Sequence, residues 1–501
     1  MIAYRQKPAQ LRLGLPTLAL RDVRFLPIAM LITLGTFLGA TDLDLWWHLR
    51  TGQLIISGHP MMSSDPFSWT TSGRTWFLHE WLSEAIIYWV QSNLGFGVAV
   101  AISAISIVTT LAIAYRLALR VCSRELIVAG VLLLSATMLL QFATVRPQVF
   151  TWLFFAIFVR QLYLNYQGER VSLWPLPLLM VVWSNMHLGY LFGLMTVWIW
   201  VVSIFLRDPR AGFGPVREPL ILAVLCSLAP AISPIGPRAL LVPVDYLGNH
   251  SVAFSSIVEW RSPDFHSIRF VPLLASLATL LATGLPTGRR HLFGLLLSLV
   301  VLVLTLMSLR NIPLFAVVFL PIASQAIAQR WPGQRGRLQI GIPAMNWALV
   351  TITTALLIAM LSLLKDSQVH SEPNVSEDLP SAGVAYIREH ELGSRMLNSY
   401  EWGGYLIAEL YPQVKVSIDG RSELYGNELL SQYLTLVNLE PGWRTQLARM
   451  GPDFILLPKK AALAEELRYE PGWKLAFEGP VEVIFIPKES SDGTRSPRNP
   501  S

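Results

Sequence analysis

Apolar runs long enough to cross a hydrocarbon core recur along the chain until about residue 364, each closed by a short polar turn. Beyond that point the pattern changes to short apolar segments of alternating helical and strand period, as in a soluble α/β domain. The runs fall at 25–40, 97–115, 126–144, 149–166, 173–187, 190–206, 220–233, 268–285, 292–307, 312–328 and 347–364. Between the first two lies a shorter run, 81–91, that carries Glu84. Counted as a span, it would send Arg116, Arg120 and Arg124 outside; read as an amphipathic helix on the outer surface, it leaves every basic cluster inside. This predicts about eleven spans, with the N-terminus in and the C-terminus out. The first run, with no small-residue cleavage site after it, is read as a retained signal-anchor.

The expected organisation is a basic N-terminus at 1–24, a multi-span part at 25–364 and a linker at 365–379. An extracytoplasmic α/β domain follows at 380–487, with a disordered tail at 488–501. Within the multi-span part, 41–96 is a first outer loop and 234–266 a long outer loop. Composition agrees: 53% of the 501 residues are hydrophobic and 14% charged, with mean hydropathy +0.47. The net charge of +6 comes from arginines in short loops, which orient helices and form no face for nucleic acid. Cys122 and Cys226 lack disulfide or zinc-ligand spacing. The tail domain holds no P-loop, G-x-S-x-G or G-x-G-x-x-G.

Candidate chemistry collects at outer helix ends. The stretch TDLDLWWHLRTGQLIISGHPMMSSDPFSWTTSGRTWFLHEW brings Asp42, Asp44, His48, His79 and Glu80 together with Trp46 and Trp47, residue types that suit a ring-shaped or sugar-like ligand at an interface. The Asp65-Pro66 pair in it reads as a turn. Further along, Arg146 and Gln148, His187, Glu259 and Arg261, and Arg310 occupy the same side. Outer-side arginines run against the topological bias, and an anionic ligand would explain them. The chemistry such a set supports is transfer from a lipid-linked phosphate. A carboxylate such as Asp44 would take the proton of an acceptor hydroxyl, and cations would neutralise the departing phosphate. Asp42 and Asp44 could instead share a divalent cation. In the tail, Glu401, Asp419, Arg421 and Tyr425 sit at turn or strand-end positions where ligands are often held, although Asp419-Gly420 equally reads as a turn.

The acid-rich first loop (TDLDLWWHL), the segment after it (HEWLSEAIIYWV), the many spans and the outer C-terminal domain together resemble the GT-C superfamily of polyprenyl-phosphate-sugar glycosyltransferases. The motifs N-S-Y-E-W-G-G-Y and D-G-R-S-E-L-Y-G are similar to those of uncharacterised bacterial GT-C-like proteins. The resemblance implies an inner-membrane enzyme. It would move a hexosyl or pentosyl group, with inversion, from a polyprenyl-phosphate carrier to a lipid, glycan or protein acceptor. It further implies Asp44, Asp42 and Glu80 as catalytic candidates, with Mg or Mn at Asp42 and Asp44 as a candidate cofactor. Donor phosphate contacts would fall to Arg146, His79, Arg261 and Arg310, and substrate contacts to Trp46, Trp47, His48, Gln148, His187 and Glu259. The alternatives are a non-catalytic scaffold of the same fold and a lipid or solute transporter; terminal charges and the lack of an internal repeat count against the latter.

Overall fold

The polar stretch after the first apolar run folds into a helix. In the computed structural model, residues 42–59, 64–242, 257–331 and 378–488 are described, with Phe25, Ala29, Ile32, Thr33, Gly35, Thr36 and Val252 as isolated positions. Helix α1 spans Leu45–Ile56, a helix that the sequence reading of 41–96 did not place. Its signal is Leu45, Leu49 and Gly52 along one stripe and Trp46, Trp47 and Leu54 along another. Helix α2, Trp81–Leu94, crosses it at Gly52, where a Cβ would meet the Glu84 carbonyl oxygen at 2.2 Å. A side chain there would force the helices apart. The close crossing sets His48, one turn earlier, against the Glu84 side chain.

The bundle continues with α3 Phe96–Val121, α4 Glu125–Leu140, α5 Gln148–Tyr166, α6 Pro175–Met186, α7 Tyr190–Arg207, α8 Arg217–Leu228, α9 Val271–Thr283, α10 Leu292–Met307 and α11 Ile312–Arg330. Six helices among the described residues are long and apolar enough to cross a membrane, and three shorter apolar ones accompany them. Each expected span from 97 to 328 corresponds to one of these. The span expected at 347–364 lies outside the described residues, and the one at 25–40 almost wholly so. Helix α11 is buried on every side from Ile312 to Ala326, as its sequence, apolar on all faces until Ser324 and Gln325, requires, and it forms the central post of the bundle.

Polar contacts sort the helix ends into two sets. At one end, Arg120 pairs with Glu169, Arg124 bonds the Trp331 carbonyl, Arg207 the Tyr166 carbonyl, and Tyr166 the Arg289 carbonyl. At the other, Arg146 meets Asp42 and Glu259, Trp81 bonds Asn185, Asn185 bonds the Ile232 carbonyl, and Arg269 bonds Gln141. Basic loops and candidate site thus occupy opposite ends, as strict alternation requires. Phe96 begins α3 beside Leu45 and Val145 at the site end, Arg120 closes it at the basic end, and Trp81 bonds Asn185 at the site end, so both ends of α2 lie at the site end.

The C-terminal part adds α12 Ser381–His390, β1 Met396–Asn398, α13 Gly403–Leu410, α14 Ser422–Val437, α15 Trp443–Met450, β2 Phe454–Pro458, α16 Ala462–Leu467, β3 Trp473–Glu478 and β4 Glu482–Pro487. The sheet order is β1-β2-β4-β3, with β1 parallel to β2 and the other pairs antiparallel, so the expected β3–β4 pairing forms. The strand expected at 414–418 is corrected. That segment makes only single bridges, Lys415 to Arg395 and Val416 to Ser68 of the first outer segment. Its backbone is satisfied across the two parts: Trp69 N–H donates to the Val416 carbonyl and Val416 N–H to the Phe67 carbonyl, each at 3.1 Å. Trp46, Trp47, Leu54, Phe67, Trp76 and Leu78 accordingly share one apolar core with the sheet and its helices. The first outer segment packs as part of the C-terminal body.

Candidate active site

Asp42 and Asp44 stand just before α1, Arg146 just before α5, Glu259 in a short turn at Val258–Trp260, and Arg310 in the turn before α11. Their side chains converge. Arg146 Nη2 donates to Asp42 and lies 2.9 Å from Asp44 Oδ2, while Nη1 donates to Glu259 Oε1 at 2.8 Å. Arg310 Nε approaches Glu259 Oε2 at 3.5 Å and its guanidinium lies over the Trp260 ring at 4.8 Å. Asp42 Oδ1 also accepts the Asp44 N–H at 2.9 Å, which fixes the two aspartates relative to each other. Burial raises the Asp44 carboxyl to about 6; Arg146 opposes the rise, and the neighbouring Asp42 and Glu259 add to it. Burial also acts upward on Glu259, but Arg146 and Arg310 outweigh it and hold that carboxyl below its usual range.

A second cluster, rich in imidazoles, lies beside the first. Glu80 Oε1 is 3.4 Å from His187 Nε2 and 3.6 Å from His79 Nε2, and Glu80 Oε2 is 3.7 Å from His48 Nδ1. His48 Nδ1 and Glu84 Oε1 share a hydrogen bond at 3.0 Å. The Gly189 N–H donates to His187 Nδ1, so the neutral ring carries its proton on Nε2, facing Glu80. Burial lowers His48 to about 3 and His187 to about 4, against the pull of Glu80. His79 differs: burial lowers it, but the hydrogen bond and charge of Glu80 prevail and raise it to about 9. Burial presses Glu80 upward, yet the His79 hydrogen bond and the three imidazoles hold it well below its usual range. The charge of Arg146 reaches His48 and His187, and that of Arg310 reaches His187, so the clusters form one electrostatic unit.

The C-terminal body roofs the aspartates. A Cβ on Gly420 would fall 1.9 Å from Asp44 Oδ1, and one on Gly404 2.5 Å from the Leu43 carbonyl oxygen. Gly420 is held there by its neighbours. Arg421 Nη1 donates to Asp65 Oδ1 at 2.7 Å, Nε to Asp419 Oδ1 at 2.8 Å and Nη2 to Asp419 Oδ2 at 2.6 Å. The Tyr425 hydroxyl completes the network on Asp419 Oδ2 at 2.6 Å, and the guanidinium is sandwiched against Phe67 and Trp76. Asp419, Arg421 and Tyr425 are all buried, which corrects the expectation that they hold a ligand. Asp65 does make its turn, accepting from the Phe67 and Ser68 N–H groups, and it is an ion-pair partner as well.

Of the candidates, Asp42, Asp44, Arg146, Glu259 and Arg310 come together in one cluster, and His48, His79, Glu80 and His187 in the other. Gln148 is half-buried at the start of α5, and Arg261 is exposed beside the Glu259 turn. Trp46 and Trp47 are buried, Trp46 edge-on to Tyr405 and Trp47 against His48, so they present no open ring to a ligand. Glu84 is the residue the sequence reading lacked; its i, i+4 spacing from Glu80 on a helix was the available signal. A small cleft lined by His79, Trp81, Asn185, Tyr190 and Ser233 opens beside the imidazole cluster.

Arg146 takes one oxygen of each carboxylate of the Asp42–Asp44 pair, which sets a fixed positive charge where a divalent cation shared by the two would have to sit. By donor type, His48, Glu80 and Glu84 suit a metal better: their ligand atoms lie within 4.8 Å of one another, and Glu84 Oε2 is buried with no hydrogen-bond partner.

No family model matches the sequence, and no curated protein matches it. By fold the chain is similar to the apo oligosaccharyltransferase of Archaeoglobus fulgidus, at 13% identity with TM-score 0.52 over 87% of this chain and 69% of that one. It is also similar to AglB, the oligosaccharyltransferase of that organism, in complex with an inhibitory peptide and a dolichol-phosphate; there the TM-score is 0.51 over 93% and 74% of the two chains, at 13% identity. ArnT from Cupriavidus metallidurans bound to undecaprenyl phosphate matches over 94% and 99% at 14% identity, with TM-score 0.47. The likeness is one of fold alone: a mostly helical chain, six of whose described helices are long and apolar enough to cross a membrane, with a C-terminal α/β body.

Proposed function

We propose that the chain is a membrane glycosyltransferase that moves a sugar from a polyprenyl-phosphate carrier to a lipid, glycan or protein acceptor at the extracytoplasmic face. The observation that carries this is Asp44, a carboxylate lifted to about 6 and fixed by Arg146 among cations at one end of the bundle. Such a group is charged at neutral pH and basic enough to take a proton. The dolichol-phosphate bound by the AglB structure supports the donor class, and the basic loops at the opposite end support the outward placement.

Asp44 accepts the proton of the acceptor hydroxyl as its oxygen attacks the sugar anomeric carbon. The bond from that carbon to the phosphate oxygen breaks, and polyprenyl phosphate leaves with the electron pair. One displacement inverts the anomeric centre. Arg310 and cationic His79 neutralise the phosphate; Arg310 is a third exposed, whereas both Nη atoms of Arg146 are engaged by carboxylates. Arg146 therefore positions Asp44 in this scheme, and Glu80 holds His79 and His187. The sugar, hexosyl or pentosyl, is set by groups that face the anomeric ring.

The test is transfer of label from a panel of polyprenyl-phosphate sugars by the purified chain, with Asp44→Asn alongside. A non-catalytic scaffold of this fold would transfer from none of them while remaining folded.

A further inference from the structure

We infer that Arg146 is the resident cation of the acidic cluster, and that Asp42, Asp44 and Glu259 work without a divalent metal ion. This deepens the proposed function, since it concerns the same carboxylates, but its test does not depend on transfer.

Three carboxylates from three separate chain segments meet on one guanidinium. Asp42 and Asp44 share Nη2, and Glu259 takes Nη1 at 2.8 Å. A metal ion bound by these oxygens at the ~2.0–2.6 Å of Mg or Ca coordination would sit within a few ångströms of a fixed positive charge. It would also have to strip oxygens from a guanidinium that has no alternative acceptors among those contacts. Arg146 has little room to withdraw: it is 9% exposed, and it lies between Val145, buried in the core, and Pro147, the N-cap of α5. Backbone bonds pin it on both sides, from its own N–H to the Thr144 carbonyl and from the Val149 N–H to its carbonyl. Arg310 adds a second cation on the far oxygen of Glu259. Unlike a metal, a side chain cannot be chelated away, and it keeps the three acids oriented at any ambient ion concentration.

The experiment uses the full chain in detergent or nanodiscs and reads Mn2+ binding by electron paramagnetic resonance, with thermal unfolding in EDTA or Mn2+ beside it. Wild type is expected to show no Mn2+ site that depends on Asp44, and any change of unfolding temperature in EDTA is expected to persist in Asp44→Asn. Arg146→Ala leaves three acids facing one another; it is expected to gain Mn2+ binding roughly tenfold or more tighter than wild type, lost again on adding Glu259→Gln. Mn2+ binding by wild type that Asp44→Asn abolishes overturns the inference, and this comparison suffices if Arg146→Ala does not fold. Wild-type binding that survives Asp44→Asn but is lost in His48→Ala supports it, placing the ion in the imidazole cluster.

Discussion

Gly420 of the C-terminal body is in contact with Asp44 at the mouth of the bundle, so close that a Cβ would fall 1.9 Å from Asp44 Oδ1. The acid proposed as base is therefore positioned from two sides, by Arg146 below and a bare backbone above. Gly420→Ala must push the carboxylate off its guanidinium. The expected outcome is a folded protein, destabilised by about 1–3 kcal/mol, whose transfer rate falls on the order of a hundredfold through misplacement of the base. Thermal unfolding and label transfer on the same preparation check both.

Arg421 ties the segment after α1 to the C-terminal part through Asp65 and Asp419 in a fully buried network. Removing one partner of such a network leaves uncompensated charge, so Arg421→Ala is expected to cost about 3–5 kcal/mol. Limited proteolysis should then cut the C-terminal body first. A variant as stable as wild type would show that the shared apolar core alone holds that segment in place.

The pH profile follows from Asp44. Its carboxyl lies at about 6 in the folded protein; below that value it is protonated and cannot accept a proton. Transfer is expected to be steady from about pH 7 until His79 loses its charge at about 9, and to fall about tenfold per unit well below 6, with any residual rate of Asp44→Asn lacking the acid limb. An unchanged acid limb in Asp44→Asn would assign the titration to another group.

Gly52 offers a test of the helix crossing that forms the imidazole cluster. A Cβ there would meet backbone, the Glu84 carbonyl oxygen at 2.2 Å, which no rotamer change relieves. Gly52→Ala is expected to destabilise by about 1–3 kcal/mol and to break the His48–Glu84 hydrogen bond, visible as a shifted His48 imidazole resonance.

Much of the bundle was legible in the sequence because apolar length and arginine placement are one-dimensional signals. Alternation from Arg116 to Arg330 predicted which helix ends share a side, and it is the reason 81–91 reads as a surface helix. Helix α1 was hidden because its apolar stripe, Leu45 to Gly52, is interleaved with Asp44, His48 and Arg50. The site pairings were beyond reach for a different reason. Arg146 with Glu259 and Arg421 with Asp65 are contacts between distant segments, and no local pattern encodes them. The same gap hides the contact of Asp42 and Asp44 with Arg146, which another helix end brings in.

The most direct test of the account is label transfer from polyprenyl-phosphate sugars by wild type, Asp44→Asn and Arg310→Ala. The account predicts transfer by wild type from at least one donor and its loss in Asp44→Asn. For Arg310→Ala it predicts a rise of roughly tenfold or more in the KM for donor, from loss of a charged phosphate contact. Transfer undiminished in Asp44→Asn, or no transfer from any donor by a folded wild-type protein, would contradict it.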